Sequence, residues 1–226
     1  MNRMRLCFIS TLRAWNDTWK DLGIIEKMIQ GVDVDYDPNL AKVEYYTLCL
    51  EDRRFFAHCG FDPLSIIRAF LIWLTGRDGG GASTIEQQLV RTITNRRERT
   101  LWRKVREIVL ACIISRRYGK IRLLRVYLGI AYFGYGLNGI CRSSEAHFAK
   151  KPEHLSDDEA ALLAGLLLYP CPKKINQRWE HLIRRRANYA IRVGKFLHER
   201  SWRYAKLGIQ SLKNPALTSR NIQTVL

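Results

Sequence analysis

The chain has 226 residues, of which 47% are hydrophobic and 26% charged, a composition typical of one or two globular domains. This composition excludes an intrinsically disordered chain, a collagen-like repeat and a protein with several membrane spans. The 38 lysines and arginines outnumber the 21 aspartates and glutamates, which gives a formal net charge of +17. We therefore expect an anionic partner such as nucleic acid, an acidic membrane surface or a phosphorylated substrate.

The six cysteines lie far apart along the chain, with no C-x-x-C pair and no histidine at the spacing of a metal site. We predict that they are reduced, pack as small hydrophobic side chains and bind no zinc. No signal peptide is recognised near the N-terminus, and the longest apolar runs are shorter than the roughly 18 residues of a membrane span. The sequence therefore predicts neither an export signal nor a transmembrane helix.

Apolar residues recur mainly at the spacing of an α-helix, and hardly any stretch alternates with the period of a strand. The chain is therefore predicted to be mainly α. Asp62 and the proline after it have the residue types preferred at a helix N-cap and first position. The helix that they start is predicted to run through Leu74 and to be buried on nearly all sides. Ser83 and Glu86 have the pattern of a capping box at the start of a helix that ends near Ile93.

Four more helices are predicted in the second half of the chain. An apolar stripe from Val105 to Ile113, with a spacing of 3.6 residues, indicates the first of them. The others are predicted at residues 121–133, 156–168 and 182–200. Ser156 and Glu159 form a capping box at the start of the helix at 156–168. No internal repeat and no long polar linker divides the chain.

Five short segments between residues 51 and 166 have the pattern of sequence motifs. They are EDRRFFAHCG at 51–60, GASTIEQQ at 81–88, RKVRE at 103–107, the glycine-rich stretch at 120–139, and DEAALLAGL at 158–166. In this order they resemble the five motifs of the peptidoglycan glycosyltransferase domain, which include E-D-x-x-F-x-x-H-x-G, G-x-S-T-I-T-Q-Q and R-K-x-x-E. That domain is found in class A penicillin-binding proteins and in monofunctional transglycosylases.

The resemblance implies a lysozyme-like fold with two lobes, of which the smaller is mobile and lies against a membrane. It implies a glycosyltransferase domain at residues 45–200, a helical N-terminal extension at 1–44 and a basic C-terminal tail at 201–226. It also implies peripheral placement on the outer face of the bacterial cytoplasmic membrane.

The activity implied by the resemblance is polymerisation of polyprenyl-pyrophosphate-linked disaccharides into a β-linked glycan, with inversion at the anomeric carbon. The expected partners are the lipid-linked glycan, an anionic membrane surface and cell-wall synthesis proteins. Nucleic acid is not expected, because the sequence has no nucleic-acid-binding motif. No cofactor is required. A divalent cation, Mg²⁺ or Mn²⁺, can assist the pyrophosphate, although the sequence shows no dedicated carboxylate cage for a metal.

The chemistry itself indicates which residue types are needed. Transfer from a pyrophosphate donor requires a carboxylate that takes the proton from the attacking hydroxyl, and cations that stabilise the leaving pyrophosphate. Glu51 is the candidate general base, and the resemblance assigns that role to it. The alternative is a surface ion pair between Glu51 and Arg53 or Arg54. Asp52, Phe55, His58 and Gly60 are predicted to support Glu51 and the turn that follows it.

Glu107 is the second carboxylate that the resemblance places in the cleft, and its alternative is an ion pair with Arg103, four residues earlier on the same helix. The candidate phosphate-binding residues are basic side chains on and between two consecutive helices, and arginine suits phosphate because its contacts are bidentate. They are Arg91, Arg99, Arg103, Lys104 and Arg106. The resemblance adds three residues on the donor side, Ser83, Gln87 and Gln88.

The sequence departs from the family pattern at several positions. Glu86 replaces a threonine, and Arg125 and Gly129 replace a glutamate and an asparagine. These changes leave two alternatives to the transferase. One is a domain that has lost activity and only binds a lipid-linked glycan. The other is a lysozyme-like hydrolase, which uses a pair of carboxylates and has no need of the arginines.

Overall fold

The computed structural model describes residues 2–32, 41–76, 81–96, 98 and 100–206, and the side chains of these from residue 15 to residue 198 except residue 70. The helices in this part of the chain are α1 (Asn2–Gly31), α2 (Lys42–Glu51), α3 (Pro63–Leu74), α4 (Ile85–Thr94), α5 (Leu101–Arg117), α6 (Lys120–Ile130), α7 (Ile140–Phe148), α8 (Asp157–Gly165) and α9 (Gln177–Lys206). Strands β1 (Tyr132–Gly134) and β2 (Leu137–Asn138) form an antiparallel hairpin. The predicted mainly α class is confirmed.

The helices pack as two groups that share one hydrophobic core. Helices α2, α8 and α9 contact one another, and α4 contacts α1, α5 and α6. Large apolar side chains from both groups are fully buried, including Phe55, Leu89, Leu110, Leu124 and Leu163. Because α4 has neighbours on three sides, it places polar side chains against several other elements at once. This position makes α4 the centre of the candidate site.

Helix α1 joins this core through its second half. Leu22, Ile25 and Ile29 recur at helical spacing and are buried against α4 and α5. The predicted division of the chain at residue 44 remains a prediction, although α1 packs with the rest of the fold. Residues 207–226 of the predicted C-terminal tail lie outside the described residues.

Helix α3 begins as predicted, because the Asp62 carboxylate accepts a hydrogen bond from the backbone N–H of Leu64 and Pro63 occupies the first turn. The prediction that it is buried on nearly all sides is wrong. Five apolar side chains of α3 are 53–65% exposed: Leu64, Ile67, Leu71, Trp73 and Leu74. No described apolar side chain of α3 belongs to the buried core. Helical spacing and apolar composition do not reveal whether a neighbouring element covers the helix.

The predicted start of α4 is also corrected. The N-cap is Thr84, whose hydroxyl accepts from the backbone N–H of Gln87, and the helix begins at Ile85. Glu86 takes no part in a capping box. Its side chain is fully buried and forms an ion pair with Lys120 at the start of α6. Burial of a carboxylate without a cationic partner costs more free energy than the absence of a second capping contact, so Glu86 pairs with Lys120.

Three other predicted helix boundaries move. Helix α6 ends at Ile130 because the next residues form strand β1, whose Gly134 lies against the backbone of Cys171. The capping box of Ser156 and Glu159 is confirmed, but α8 ends at Gly165. Helix α9 is longer than predicted at both ends.

Candidate active site

Glu51 is the last residue of α2, and its carboxylate lies between α4 and α9. One oxygen accepts a hydrogen bond from Arg186 Nη2 at 2.9 Å, and the other accepts from Gln88 Nε2 at 3.3 Å. Tyr127 in turn donates its hydroxyl proton to Gln88 Oε1 at 2.7 Å, which fixes the orientation of the amide. The Glu51 side chain is 14% exposed. It is therefore held in place while part of it still faces solvent.

The alternative prediction for Glu51, an ion pair with an adjacent arginine, is corrected. Arg53 donates to the Cys49 carbonyl and to the hydroxyl of Tyr189, and Arg54 pairs with Asp62 at 3.3 Å. The arginine that pairs with Glu51 comes from α9, 135 positions later in the sequence. Tertiary packing, and not proximity along α2, supplies the cation.

Burial governs the ionisation of Tyr127, the last member of this hydrogen-bonded series. Its pKa is raised well above the usual value, mainly by burial and further by the negative charge of Glu51. Tyr127 therefore remains protonated and acts as a hydrogen-bond donor. The orientation of Gln88, and through it that of Glu51, is maintained over the whole neutral range.

The predicted supporting residues connect Glu51 to the start of α4. Asp52 accepts from His58 Nε2 at 3.1 Å and from the backbone N–H of Ile85 at 3.2 Å. The backbone N–H of Gly60 donates to His58 Nδ1 at 3.2 Å, so the ring proton lies on Nε2 and points to Asp52. These contacts join the end of α2, the following turn and α4 into one rigid unit.

Gly60 and Phe55 complete this support. Gly60 has a φ of +84°, and a Cβ at this position would lie 2.4 Å from backbone atoms of Ala111, so only glycine fits. The Gly60 carbonyl accepts from Thr84 Oγ1 at 2.9 Å and from Gln87 Nε2 at 3.2 Å. Phe55 is fully buried, and Lys120 Nζ lies 4.6 Å from the centre of its ring. The contacts of Asp52, Phe55, His58 and Gly60 agree with the supporting role proposed for them.

Glu107 on α5 is surrounded by cations. Arg91 binds it in bidentate fashion, at 3.0 and 3.1 Å, Arg103 donates to one of its oxygens, and Lys104 Nζ lies 3.7 Å away. Burial raises the pKa of Glu107, but the hydrogen bonds from Arg91 and the three positive charges outweigh burial and lower it overall. The side chain is 4% exposed. Glu107 is therefore a permanent carboxylate at neutral pH.

The predicted pair of Glu107 and Arg103 is present, but it is one of three contacts with cations. Lys104 also donates to Gln87 Oε1 at 2.6 Å and to Ser83 Oγ at 3.0 Å. Burial lowers the pKa of Lys104. We call Arg91, Arg103, Lys104 and Glu107 the cationic cluster, which has three positive charges and one negative charge and so a net charge of +2.

Helix α4 brings the two carboxylates into one site. Gln88, which contacts Glu51, and Arg91, which contacts Glu107, lie three residues apart and therefore on the same face of α4. Glu51 and the cationic cluster thus border the same face, about one helical turn apart along α4. This arrangement unites most of the predicted residues, namely Glu51, Ser83, Gln87, Gln88, Arg91, Arg103, Lys104 and Glu107.

One predicted phosphate-binding residue of the described part of the chain, Arg106, does not join this group. The side chain of Arg106 points to α1, where it is 8% exposed and its Nη1 is 3.5 Å from the carboxylate of Asp21. It contacts a different carboxylate, so the structure does not place Arg106 beside Glu107. Arg99 lies outside the described residues.

Sequence reasoning could not single out Arg186. It belongs to a row of arginines on an amphipathic helix, and nothing local distinguishes it from Arg184 or Arg185, which are exposed. Long-range pairs of this kind depend on how α9 packs against α2. The same holds for Lys120, whose partner Glu86 is 34 residues away.

The residues that come nearest to a metal site in the described part of the chain are Asp52, His58 and Glu86, whose candidate ligand atoms lie within 4.8 Å of one another. They do not fit a metal as arranged. Both ring nitrogens of His58 are engaged, one as acceptor from Gly60 and one toward Asp52. Lys120 already provides a positive charge to Glu86. We derive no role for a metal from this cluster, and the suggestion of an assisting Mg²⁺ or Mn²⁺ remains a prediction.

The three residues that depart from the family pattern, Glu86, Arg125 and Gly129, fit into the fold beside residues other than Glu51 and the cationic cluster. Glu86 pairs with Lys120 and accepts from Ser115 at 3.3 Å. Arg125 forms an ion pair with Glu44 at 2.7 Å between α6 and α2. A Cβ placed on Gly129 would meet only the side chain of Val32 within 4 Å. These contacts leave the partners of Glu51 and of the cationic cluster in place.

Comparison with known proteins finds a matching family and similar sequences. The family model described as transglycosylase matches residues 26–193. The chain is 44% identical to penicillin-binding protein 1A of Aquifex aeolicus (strain VF5) over 117 residues, which are 51% of the chain and 16% of that protein. It is 41% identical to penicillin-binding protein 1B of Vibrio cholerae over 128 residues, 54% of the chain and 16% of that protein. Penicillin-binding protein 1A of Escherichia coli (strain K12) is 40% identical over 120 residues, 53% of the chain and 14% of that protein.

The chain belongs to the transglycosylase family, because the family model covers well over half of it. Its mainly α fold is that of a lysozyme-like transglycosylase domain. The matched segment spans about one sixth of the length of these curated relatives. Among the described residues, no helix is both long enough and apolar enough to span a membrane.

Proposed function

We propose that this domain is a peptidoglycan glycosyltransferase that extends a glycan from polyprenyl-pyrophosphate-linked disaccharides. The observation that carries the proposal is the pairing of a partly exposed carboxylate, Glu51, with a cationic cluster of net charge +2 on the same face of α4. The carboxylate can take the proton of a hydroxyl nucleophile, and the cationic cluster can stabilise a pyrophosphate leaving group.

Glu51 takes the proton of the attacking sugar hydroxyl. Arg186 and Gln88 hold the carboxylate in a fixed orientation, so little reorganisation is needed when the hydroxyl approaches. A general base of this kind contributes about 10² to 10⁴ in rate. Each carboxylate oxygen has two lone pairs, so each can accept one protein hydrogen bond and still receive the substrate proton.

The cationic cluster stabilises the departing pyrophosphate. Glu107 keeps Arg91, Arg103 and Lys104 together despite their mutual repulsion, and the cluster retains a net charge of +2 for an anionic group. The side chain of Arg91 is 42% exposed, and that of Arg103 is 20% exposed, so both remain accessible. Negative charge that develops on the leaving oxygen is therefore met by positive charge already in place.

A single displacement follows from these roles. The hydroxyl attacks the anomeric carbon while the bond to the pyrophosphate oxygen breaks, and Glu51 holds the proton. An α-linked donor is thereby converted to a β-linked product, without a covalent enzyme intermediate. Since the leaving pyrophosphate is already anionic and stabilised by cations, no general acid is required.

The lysozyme-like hydrolase is disfavoured by the cationic cluster. A hydrolase of this kind cleaves a glycosidic bond with a pair of carboxyl groups, and its leaving group is not a pyrophosphate that needs several cations. Here Arg91, Arg103 and Lys104 surround one of the two carboxylates. Nor is the inactive domain favoured, because the substitutions at residues 86, 125 and 129 leave the contacts of both carboxylates in place.

We also propose that α3 lies against the membrane that contains the lipid-linked substrate. The apolar side chains that α3 exposes include Ile67, Leu71 and Trp73. Exposed apolar side chains at this density are typical of an interaction surface. Lysines and arginines elsewhere on the domain add attraction to anionic lipids.

The proposed function is tested with purified protein in detergent, incubated either with a lipid-linked disaccharide or with finished, uncrosslinked glycan. Resolution of the products by length distinguishes the two activities. We expect the first substrate to be extended to long chains and the second to remain intact. Cleavage of the finished glycan without extension of the lipid-linked units would identify a hydrolase instead, and no reaction with either would indicate a binding domain.

A further inference from the structure

Two cysteines that the proposed reaction does not use lie side by side next to the candidate site. Cys59 is in the turn between His58 and Gly60, and Cys112 is on α5, five residues after Glu107. A Cβ on Gly60 would lie 2.7 Å from the backbone nitrogen of Cys112. The turn that carries Cys59 therefore runs directly against the turn of α5 that carries Cys112.

The two side chains are also close enough to interact, because Cys59 contributes to the raised pKa of the Cys112 thiol. Cys59 is exposed and Cys112 is partly buried, and both are free thiols in the structure. Cys49, Cys141 and Cys171 are the other free cysteines of the described residues, and the described contacts of Cys49 and Cys171 include no second cysteine.

We propose that Cys59 and Cys112 are a thiol pair that is converted to an intramolecular disulfide by a two-electron oxidant, of which a dissolved disulfide is the simplest class. The exposed Cys59 thiolate attacks one sulfur of the oxidant and releases one thiol. The Cys112 thiolate then attacks Cys59 Sγ and releases the second thiol. In total, two protein thiols are oxidised, one disulfide is reduced to two thiols, and the two protons pass to those thiols.

The order of the two steps follows from the surroundings of the sulfurs. Burial raises the pKa of the Cys112 thiol and the neighbouring Cys59 raises it further, whereas Arg116 acts in the opposite direction. Access favours Cys59 for the first attack, because a dissolved oxidant reaches an exposed thiol before a partly buried one. Once the mixed disulfide has formed, Cys112 is already adjacent to the sulfur that it must attack.

A bond between these residues joins the support of the candidate site to the helix that carries the cationic cluster. The turn at 58–60 holds Asp52 through His58 and holds α4 through the Gly60 carbonyl. The cross-link closes a loop of more than fifty residues, and loops of that length give disulfides a large stabilising effect on the folded state. The inference does not depend on the proposed function, since it requires only the fold.

The test uses the full-length reduced protein in a buffer of oxidised and reduced glutathione. The reaction is quenched by alkylation, and the digested protein is mapped by mass spectrometry. We expect the wild-type protein to lose two of its six alkylatable thiols and to give one cross-linked peptide pair containing Cys59 and Cys112. The oxidised monomer should also unfold at a temperature higher by about 5 °C or more, and a reductant should reverse the shift.

Three variants accompany the wild-type protein. Cys59→Ser and Cys112→Ser should each abolish the cross-link and the thermal shift, whereas Cys141→Ser, a control at an exposed cysteine on α7, should retain both. The mapping of wild-type protein does not depend on whether either serine variant folds. A glutathione adduct that persists on Cys59 while Cys112 remains alkylatable would overturn the proposal. Cross-links found only between two chains would also overturn it.

Discussion

The two carboxylates of the candidate site have opposite surroundings. Glu51 is 14% exposed and has one arginine and one amide as partners. Glu107 is 4% exposed and has two arginines and a lysine around it. Both are placed by the same face of α4, so the difference comes from the elements on either side: α9 contributes a single cation to Glu51, and α5 contributes two to Glu107.

This difference assigns different chemistry to two side chains of the same type. A carboxylate with many cationic partners is stabilised in its charged form, so it is a poor proton acceptor and a good counter-ion. A carboxylate with fewer partners and some access to solvent can be reached by a substrate hydroxyl. The structure therefore makes Glu51 the candidate for proton transfer and Glu107 the residue that keeps the cationic cluster together.

The largest expected effect comes from Glu51→Gln. The amide keeps the size of the side chain and cannot take a proton, so polymerisation of lipid-linked disaccharide should fall by about a hundredfold or more. Circular dichroism and the melting temperature should stay close to the wild-type values. Glu145→Gln, at an exposed glutamate of α7, is the matched control and should retain full activity. Unchanged turnover in Glu51→Gln would remove Glu51 from the mechanism.

The next prediction distinguishes two arginines of α5, of which Arg103 contacts Glu107 and Arg106 contacts Asp21. Arg103→Met should lower the rate with pyrophosphate-linked donors more than about tenfold, because a charge-assisted contact to phosphate contributes about 1.5 to 3 kcal/mol. Arg106→Met should act on stability instead, since it leaves the buried Asp21 without one of its cationic partners, at a cost of up to about 3 kcal/mol. Rates per folded molecule and urea unfolding distinguish the two effects. The reverse pattern would place Arg106, and not Arg103, at the donor.

The pH dependence of stability should report on Glu107. Its pKa is lower in the folded protein than the ordinary value of 4.5, so its stabilising effect is present above that pH and is lost as the pH falls through the folded-state pKa. Glu107→Gln should therefore lose less unfolding free energy between about pH 7 and pH 3 than the wild-type protein does. Urea unfolding at both pH values measures this. An identical loss in both proteins would show that Glu107 is not stabilised as a carboxylate.

The smallest effect is expected at the membrane surface proposed for α3. Replacement of Leu71 and Trp73 by serine should weaken binding to vesicles that contain anionic lipid, at low and at high salt, because apolar area is lost from the contact. In the matched control, serine replaces two exposed arginines of α9, Arg184 and Arg192. The control substitutions should weaken binding only at low salt, since high salt already screens the attraction between charges. Flotation of the vesicles measures both, and binding that is unaffected by the α3 substitutions would contradict the proposed contact.

Local signals predicted α3 to α6, α8 and α9 and several of their ends. They did not predict α2 or α7, nor which helices pack beside one another. The N-cap at Asp62 and the capping box of Ser156 depend on a few adjacent residues, and both are present in the structure. At the start of α4 two adjacent hydroxyl residues compete, and the cap is Thr84, whose side chain also donates to Gly60. The exposure of α3 depends on which elements pack beside it, which no local pattern records.

The same distinction holds within the candidate site. The motifs located Glu51 and Glu107. Arg103 and Lys104 lie four and three residues before Glu107, so their contacts with it follow from helical spacing. Arg106 lies three residues after Arg103, so spacing could not show that its side chain contacts Asp21 on α1 instead of Glu107. Arg186 was missed, because its contact with Glu51 requires the packing of α9 against α2.

The central claim, that Glu51 accepts the proton and Glu107 does not, is tested most directly by the pH dependence of kcat/KM for polymerisation in three proteins. In the wild-type enzyme the rate should rise with pH as the base ionises. Glu107→Gln should retain the rise with pH at a lower overall rate. Glu51→Gln should show a residual rate that does not rise with pH. A rise that survives in Glu51→Gln and disappears in Glu107→Gln would contradict the account and exchange the roles of the two carboxylates.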